Sequence, residues 1–307
     1  MNVKSSLGGV SMAKAKCNGI EIEYETFGDR SGRPLILIIG LGSQLIHWSE
    51  EILKQLVDEG HFVVIFDNRD TGLSSKMREA GPPDLTGAIG ALMKGEKPKV
   101  PYTLSDMGED VAGLLGALDI EKAHICGISM GGAIAQTIAI RHPSRVSSLI
   151  LIYSPTGNPN LPQPKPEITA LLMAPASPDR NAYADEQIRM RRMISGSGFP
   201  LDEAWLRERY AQVFDRSYYP EGIGRNALAM LASGDRSAAL SSVTAPTLVI
   251  HGDEDPLVLI ENGRDAAQAI PGAEFMIVKG MGHYPPHRGP WPRMVEAIAA
   301  HTKKVSA

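Results

Sequence analysis

Hydrophobic and polar positions along the chain form two repeating patterns. Residues 20–28 read IEIEYETFG, in which apolar and polar side chains alternate as in a strand with one face in water. Short unbroken apolar runs follow, which is the pattern of strands covered on both faces. These runs are PLILIIG at 34–40, FVVIFD at 62–67, AHICGIS at 123–129, SLILIYS at 148–154, TLVIHGD at 247–253 and FMIVKG at 275–280.

Segments with helical periodicity separate these strands. They cover residues 48–59, 105–118, 131–141, 259–270 and 291–301. Strands and helices therefore alternate along the chain, with antiparallel pairing at the start. This order predicts an α/β fold, in which helices flank a mostly parallel, open central sheet.

The alternation stops between the strands predicted at 148–154 and 247–253. A proline-rich stretch, NPNLPQPKPEI, precedes four helical patterns that no strand interrupts. We interpret residues 156–245 as a helical lid over the strand ends, with a helical extension packed elsewhere as the alternative. Residues 15–155 and 246–307 then form the core, and residues 1–14 a flexible tail. Residues 76–101 are expected to form a loop.

Composition and charge indicate a globular protein and argue against nucleic-acid binding. The chain has 307 residues, of which 43% are hydrophobic and 21% charged, and its formal net charge is −4. That composition is typical of globular proteins, and no basic stripe is available to neutralise nucleic-acid phosphates. The densest basic cluster consists of Arg189, Arg191 and Arg192, which we interpret as a solvated helix face.

Two cysteines, Cys17 and Cys126, are too few for a disulfide framework or a four-cysteine zinc site. They fit a reducing compartment. The first residues lack the apolar core of a secretory signal, and no apolar stretch reaches the ~18 residues that span a bilayer. We therefore expect a cytoplasmic protein with no membrane span. No pattern in the sequence indicates an oligomeric state.

The stretch HICGISMGGAIAQ, residues 124–136, contains the first candidate catalytic group. Ser129 lies where a buried strand is expected to turn into a helix, and Gly127 and Gly131 leave room for close passage of the two chains. Such a serine projects from the carboxyl edge of the sheet at a helix N-terminus. Alone, the pattern fits an ordinary strand–turn–helix equally well.

A nucleophilic serine needs a base and an orienting carboxylate, and the chain offers both at later strand ends. Asp255 and His283 follow the strands predicted at 247–253 and 275–280. The order serine, aspartate, histidine is the one expected for this kind of turn. Asp253 and Glu254 are alternatives to Asp255, which lies further beyond its strand. His287 is the alternative to His283.

Backbone N–H groups are expected to stabilise the oxyanion of such a reaction. One is that of Met130, directly after the serine. The other should come from the turn Gly40–Leu41–Gly42, where we choose Leu41 and keep Gly42 in reserve.

No metal or cofactor is expected. His283 and His287 have the spacing of a helical metal motif, but Pro285 and Pro286 prevent the helix that would align them.

Together, these residues resemble the α/β-hydrolase superfamily. The likeness rests on IIGLGSQLIHW, FDNRDTGLSS, GISMGG, HGDEDPLV and GMGHYPP, in this order. The chain has Ile39 where many members have a histidine before the oxyanion glycine, and in this it is similar to aclacinomycin methylesterase-like bacterial esterases. The resemblance implies the α/β-hydrolase fold, a bracing role for the FDNRDTGLSS loop, and acyl transfer to water.

The expected function is hydrolysis of small to medium, largely apolar carboxylic esters through an acyl-enzyme, with a small-molecule ester as the partner. The same catalytic residues also suit a lactonase, an amidase or a C–C hydrolase. A small-molecule receptor of the same fold is the alternative from another class.

Overall fold

The computed structural model describes residues 3–4, 10–174 and 176–306. The strands are β1 (Val3–Lys4), β2 (Val10–Ser11), β3 (Ala13–Cys17), β4 (Ile20–Phe27), β5 (Arg33–Ile38), β6 (His61–Phe66), β7 (Ala123–Ile128), β8 (Val146–Ile152), β9 (Thr247–Gly252) and β10 (Glu274–Val278). The helices are α1 (Glu50–Asp58), α2 (Leu85–Met93), α3 (Leu104–Ala117), α4 (Met130–Arg141), α5 (Pro166–Met173), α6 (Arg180–Ile194), α7 (Glu203–Ser217), α8 (Pro220–Ser233), α9 (Ser237–Leu240), α10 (Ile260–Ala269) and α11 (Trp291–Ser306).

Eight strands form one sheet in the order β10-β9-β8-β7-β5-β6-β4-β3. β3 and β4 pair antiparallel with each other, and β4 pairs antiparallel with β6, while the other strands run parallel. The register sets Ile38 beside Gly127 and Ile128 beside Ile152. The carboxyl ends of β5, β7 and β8 therefore meet at one edge. The predicted α/β fold with a mostly parallel sheet is confirmed.

Apolar side chains cover the central sheet on both faces, as the unbroken apolar runs predict. One cluster packs the sheet against α3 and α4, and it includes Ile36, Val64, Leu114 and Ile134. A second cluster packs the other face against α1 and α11. The central strands are thus held rigidly, and the turns at their carboxyl ends inherit that rigidity.

The strand at the N-terminus differs from the sequence expectation. β3 begins at Ala13, inside the stretch expected to be a flexible tail, and pairs with β4. Ala15 and Cys17 are buried, because the alternating residues AKAKC turn one face onto α3. Residues 1–2 and 5–9 of the expected tail lie outside the described residues.

The segment between β8 and β9 is helical. It holds α5 to α9, and α6 and α7 share a small apolar cluster that includes Tyr183, Ile188, Leu206 and Val213.

The expected loop at 76–101 instead contains α2, which Asp84 caps by accepting the N–H of Gly87. The glycines at 87 and 90 obscured its helical pattern. In the described residues, no helix has the length and apolar character needed to cross a membrane.

Candidate active site

The turn between β7 and α4 holds Ser129 in a rarely populated backbone conformation, with φ of 52° and ψ of −120°. The close approach there requires glycine. A Cβ at Gly127 would lie 2.2 Å from the carbonyl oxygen of Gly131, and one at Gly131 would lie 2.1 Å from that of Ile38. Small neighbours therefore let the strand pass directly into the helix, with Ser129 at its N-terminus.

His283 and Asp255 converge on this serine. The Nε2 atom of His283 lies 3.0 Å from the Ser129 hydroxyl oxygen, and its Nδ1 atom lies 2.7 Å from Oδ2 of Asp255. His283 follows β10 and Asp255 follows β9, so both reach the same edge of the sheet as Ser129. The three predicted side chains form one hydrogen-bonded series.

The surroundings of Asp255 keep it ionised. Its Oδ1 atom accepts the backbone N–H groups of Leu257 and Val258, each at 2.9 Å. Burial raises the pKa of Asp255, but the charge of His283 and interactions with His251 and His283 outweigh it and lower this pKa from 3.8 to about 2. A carboxylate at this position favours the His283 tautomer that carries its proton on Nδ1.

The alternative acids and base have other contacts. Asp253 accepts the backbone N–H of Gly280 at 2.7 Å, and Glu254 accepts the N–H and hydroxyl of Ser197. His287 stacks on Trp205 with ring centroids 4.2 Å apart. The structure does not bring these three side chains to Ser129.

The candidate oxyanion donors flank the serine. Met130 begins α4, and the Gly40 turn packs so closely that a Cβ on Gly40 would lie 3.3 Å from the Ser129 Cβ. Within the described part of the chain, no hydrogen bond occupies the backbone N–H of Leu41 or Met130. At Gly42, where φ is 71°, an added Cβ would lie 3.6 Å from the side chain of Ile223.

The loop after β6 is hydrogen-bonded to the segment that contains the Gly40 turn. Asp67 accepts the backbone N–H of Leu45 at 2.7 Å, and it pairs with Arg216 of α7 at 2.6 Å. Asn68 donates to the carbonyl oxygen of Ile39 at 3.1 Å, directly before the Gly40 turn. The loop thus ties the end of β5 to a helix of the inserted segment.

Sequence reasoning missed two side chains near the site. The Tyr153 ring meets the His283 ring edge-on, with centroids 4.8 Å apart. The interpretation of Arg191 as part of a solvated helix face is wrong. Arg191 is half-buried against Tyr210 and Tyr284, whereas Arg189 and Arg192 are exposed. Tyr153 directly follows a strand, which is a usable signal, but nothing in the pattern separates Arg191 from its neighbours.

Comparison with known proteins identifies relatives that align with most of the chain. The sequence model of the α/β-hydrolase fold matches residues 33–290. Rhodomycin D methylesterase DnrP from Streptomyces peucetius is 28% identical, over 91% of this chain and 94% of the relative. A 2-hydroxy-6-oxononadienedioate/2-hydroxy-6-oxononatrienedioate hydrolase from Cupriavidus pinatubonensis is 31% identical, over 81% of this chain and 80% of the relative.

A solved structure shares the architecture. A thermophilic esterase from Thermogutta terrifontis superposes with a TM-score of 0.70 and 25% sequence identity. The match covers 97% of this chain and all of the esterase. The likeness therefore includes the inserted helices as well as the sheet.

Proposed function

The chain belongs to the α/β-hydrolase family and is a hydrolase of that type, and we propose that it is a serine hydrolase of carboxylic esters. One observation carries this proposal: the 3.0 Å and 2.7 Å contacts that join Ser129 to His283 and His283 to Asp255. A nucleophile, a base and an orienting carboxylate in this geometry are the parts that acyl transfer requires.

In the first half of the reaction, the Ser129 hydroxyl oxygen attacks the ester carbonyl carbon. Nε2 of His283 accepts the hydroxyl proton, while Asp255 stabilises the imidazolium through Nδ1–H. The carbonyl oxygen becomes an oxyanion, to which the backbone N–H groups of Leu41 and Met130 donate. The alcohol leaves with the proton that His283 returns, and the acyl group stays on Ser129.

In the second half, water takes the place of the alcohol. His283 accepts a proton from the water as its oxygen attacks the acyl carbon, and the same N–H groups stabilise the second oxyanion. Return of that proton to Ser129 releases the carboxylic acid. The chain supplies every group in these steps, so they call for no cofactor or metal.

The inserted helices border the proposed catalytic residues. We assign residues 156–245 as a lid, because α6 lies against the His283 turn: the carbonyl oxygen of Ile194 accepts the His283 N–H at 2.6 Å. Apolar and aromatic side chains of the lid favour a small to medium substrate with a largely apolar body. The free, buried Cys17 and Cys126 are consistent with a cytoplasmic enzyme.

The test is hydrolysis of a series of p-nitrophenyl esters of increasing acyl length. We expect turnover with an optimum at one length. Ser129→Ala should lower kcat on the order of 10⁴-fold or more, because no other group supplies the nucleophile. Ser241→Ala is the matched control, since its exposed hydroxyl donates only to the Ala238 carbonyl oxygen. It should leave kcat unchanged.

Equal rates for the wild type and Ser129→Ala would overturn the ester proposal. The second candidate function is then cleavage of a lactone, an amide or a C–C bond by the same three residues. The similarity to a 2-hydroxy-6-oxononadienedioate/2-hydroxy-6-oxononatrienedioate hydrolase, at 31% identity, favours this candidate. Assays with those substrate classes separate it from a non-catalytic receptor.

A further inference from the structure

Lid helix α6 brings Arg191 close to the proposed catalytic histidine. The last turn of this helix binds the His283 turn: Ile194 accepts the N–H of His283 at 2.6 Å, and Ser195 accepts the N–H of Gly282 at 2.8 Å. Arg191 lies one helical turn earlier, and its carbonyl oxygen accepts the Ser195 hydroxyl. The Arg191 side chain therefore extends from the same helix end that is hydrogen-bonded to the His283 turn.

Tyrosines surround the guanidinium of Arg191. Its Nε donates to the Tyr210 hydroxyl, and its central carbon lies 4.5 Å from the ring centroid of Tyr284. Tyr284 directly follows His283, and Tyr153, which also interacts electrostatically with Arg191, touches the His283 ring. The guanidinium thus lies within the same aromatic surroundings as the proposed catalytic base.

Arg191 has no counter-charge in the described residues. Arg69, Arg216 and Arg225 each pair with an aspartate. By contrast, Arg191 makes no ion pair there. Its two terminal nitrogens donate to no protein acceptor, and neither is sealed from solvent. The two terminal nitrogens of this half-buried guanidinium are therefore free to donate hydrogen bonds to a ligand.

The charge persists in these surroundings. Burial acts to lower the pKa of Arg191, but interactions with Tyr210 and Tyr284 outweigh it and the pKa stays above its ordinary value. A partly desolvated cation without an anionic partner is less stable than one in water, so an anion that pairs with this half-buried guanidinium gains more there than in water.

We propose that Arg191 forms an anion subsite beside Ser129 and His283, and that the substrate is an ester that also carries a carboxylate. The substrate class rests on the proposed esterase function. The planar guanidinium matches a carboxylate with two parallel hydrogen bonds, which a lysine does not reproduce. The surrounding tyrosine rings contact the apolar remainder of the substrate.

Two pairs of esters test whether Arg191 recognises a carboxylate. Each pair combines an anionic ester with a neutral ester of the same shape. On the acyl side, p-nitrophenyl hemiglutarate is compared with p-nitrophenyl 5-methylhexanoate. On the alcohol side, 4-acetoxybenzoate is compared with 4-isopropylphenyl acetate. For at least one pair, we expect Arg191→Gln to lower kcat/KM for the anionic ester by about 10- to 100-fold, as loss of a charged hydrogen bond implies, and to leave the neutral ester within about threefold.

The adjacent Arg192 offers a matched control. It is exposed and pairs with Glu203 at 2.6 Å, so Arg192→Gln removes the same charge from the same helix at a side chain that faces solvent. In both pairs of esters, Arg192→Gln should leave unchanged the ratio of kcat/KM for the anionic ester to kcat/KM for the neutral ester. Equal loss for charged and neutral esters in Arg191→Gln, or no loss for either pair, overturns the subsite. If this variant does not fold, Arg191→Lys carries the test, with a smaller loss expected for anionic esters alone.

Binding without turnover separates this inference from the esterase proposal. Titration calorimetry of Ser129→Ala should detect monomethyl glutarate or 4-acetoxybenzoate, whichever carries its carboxylate on the side that Arg191 serves, and adding Arg191→Gln should weaken this binding about tenfold or more. Binding that depends on Arg191, without any ester turnover in the wild type, supports the subsite and refutes only the esterase proposal. Equal binding by the single and double variants refutes the subsite.

Discussion

Ser129 shows how neighbouring residues stabilise an unfavourable conformation. A positive φ at a non-glycine residue costs about 1–3 kcal/mol, so the surrounding structure must compensate. The Ser129 N–H donates to the carbonyl oxygen of Ile152 at 3.0 Å, and its own carbonyl accepts the N–H groups of Gly132 and Ala133 at the start of α4. These bonds hold the hydroxyl where His283 reaches it.

Gly131→Ala tests the close packing at this turn. The new Cβ would lie 2.1 Å from the carbonyl oxygen of Ile38, and backbone atoms yield little. We expect a loss of at least about 1–3 kcal/mol in the free energy of unfolding, measured by urea denaturation, together with loss of ester turnover.

Gly116→Ala is the control for that substitution. Gly116 is an exposed residue of α3 with nothing within 4 Å of an added Cβ. Alanine there should stabilise the protein by about 0.5–1 kcal/mol, because it restricts the unfolded chain and favours the helix. A Gly131→Ala protein as stable as the wild type would contradict the packing argument.

Two helices of the inserted segment, α7 and α8, are attached to the core through buried charges. Arg225 of α8 pairs with Asp70 at 2.8 Å, and Arg216 of α7 pairs with Asp67 at 2.6 Å. Both aspartates lie in the loop after β6, with fully buried side chains. The two ion pairs therefore fix α7 and α8 to the loop after β6, and removing one partner would leave an unpaired charge in the interior.

Arg225→Met tests this attachment. It leaves the Asp70 carboxylate unpaired, although Tyr102 still donates to it at 2.9 Å. We expect the free energy of unfolding to fall by about 3–5 kcal/mol. The exposed pair of Arg180 and Asp215 is the control, and Arg180→Gln should leave the free energy of unfolding nearly unchanged because solvent screens this pair. Similar losses in the two variants would contradict a buried anchor.

At the scale of the whole molecule, buried histidines link stability to pH. Nδ1 of His61 donates to the carbonyl oxygen of Leu56 at 2.9 Å, and its Nε2 lies 2.8 Å from the Thr302 hydroxyl oxygen. Nδ1 of His124 lies 2.8 Å from the Ser148 hydroxyl oxygen. Burial is the largest cause that lowers the pKa of each from 6.5 to about 4. As pH falls below 6.5, the unfolded chain binds protons at these sites, but the folded chain does not until about pH 4.

Stability should therefore decline from pH 6.5 towards pH 4. Each of the two histidines contributes about 1.4 kcal/mol per pH unit within that window and nothing above it. Urea unfolding at intervals between pH 7.5 and 4.5 measures the slope. His61→Gln and His124→Gln should each reduce it by about that amount. An unchanged slope in both variants would show that other groups cause the acid sensitivity.

The sequence anticipated much of the fold because its signals are local. Apolar runs of strand length, such as residues 123–129, identify buried strands from neighbours alone. The missed elements lacked such signals: α2 contains glycines at 87 and 90, and β3 has few residues to display its alternation. The catalytic roles of Ser129, Asp255 and His283 stay predictions, but their positions after strands already indicated a shared edge.

What the sequence pattern determined by itself is an α/β fold with a mostly parallel sheet and the residues that end its strands, because side-chain periodicity and strand order act through the chain's own neighbours. The α/β-hydrolase fold in particular was implied by the resemblance of its motifs to that superfamily. What only the tertiary structure decided is which polar groups meet across the fold. The 3.0 Å contact between Ser129 and His283 joins residues far apart in the chain, and Arg191 differs from Arg192 only in the direction that its helix gives it. Such contacts depend on packing between elements, for which no local pattern carries a signal.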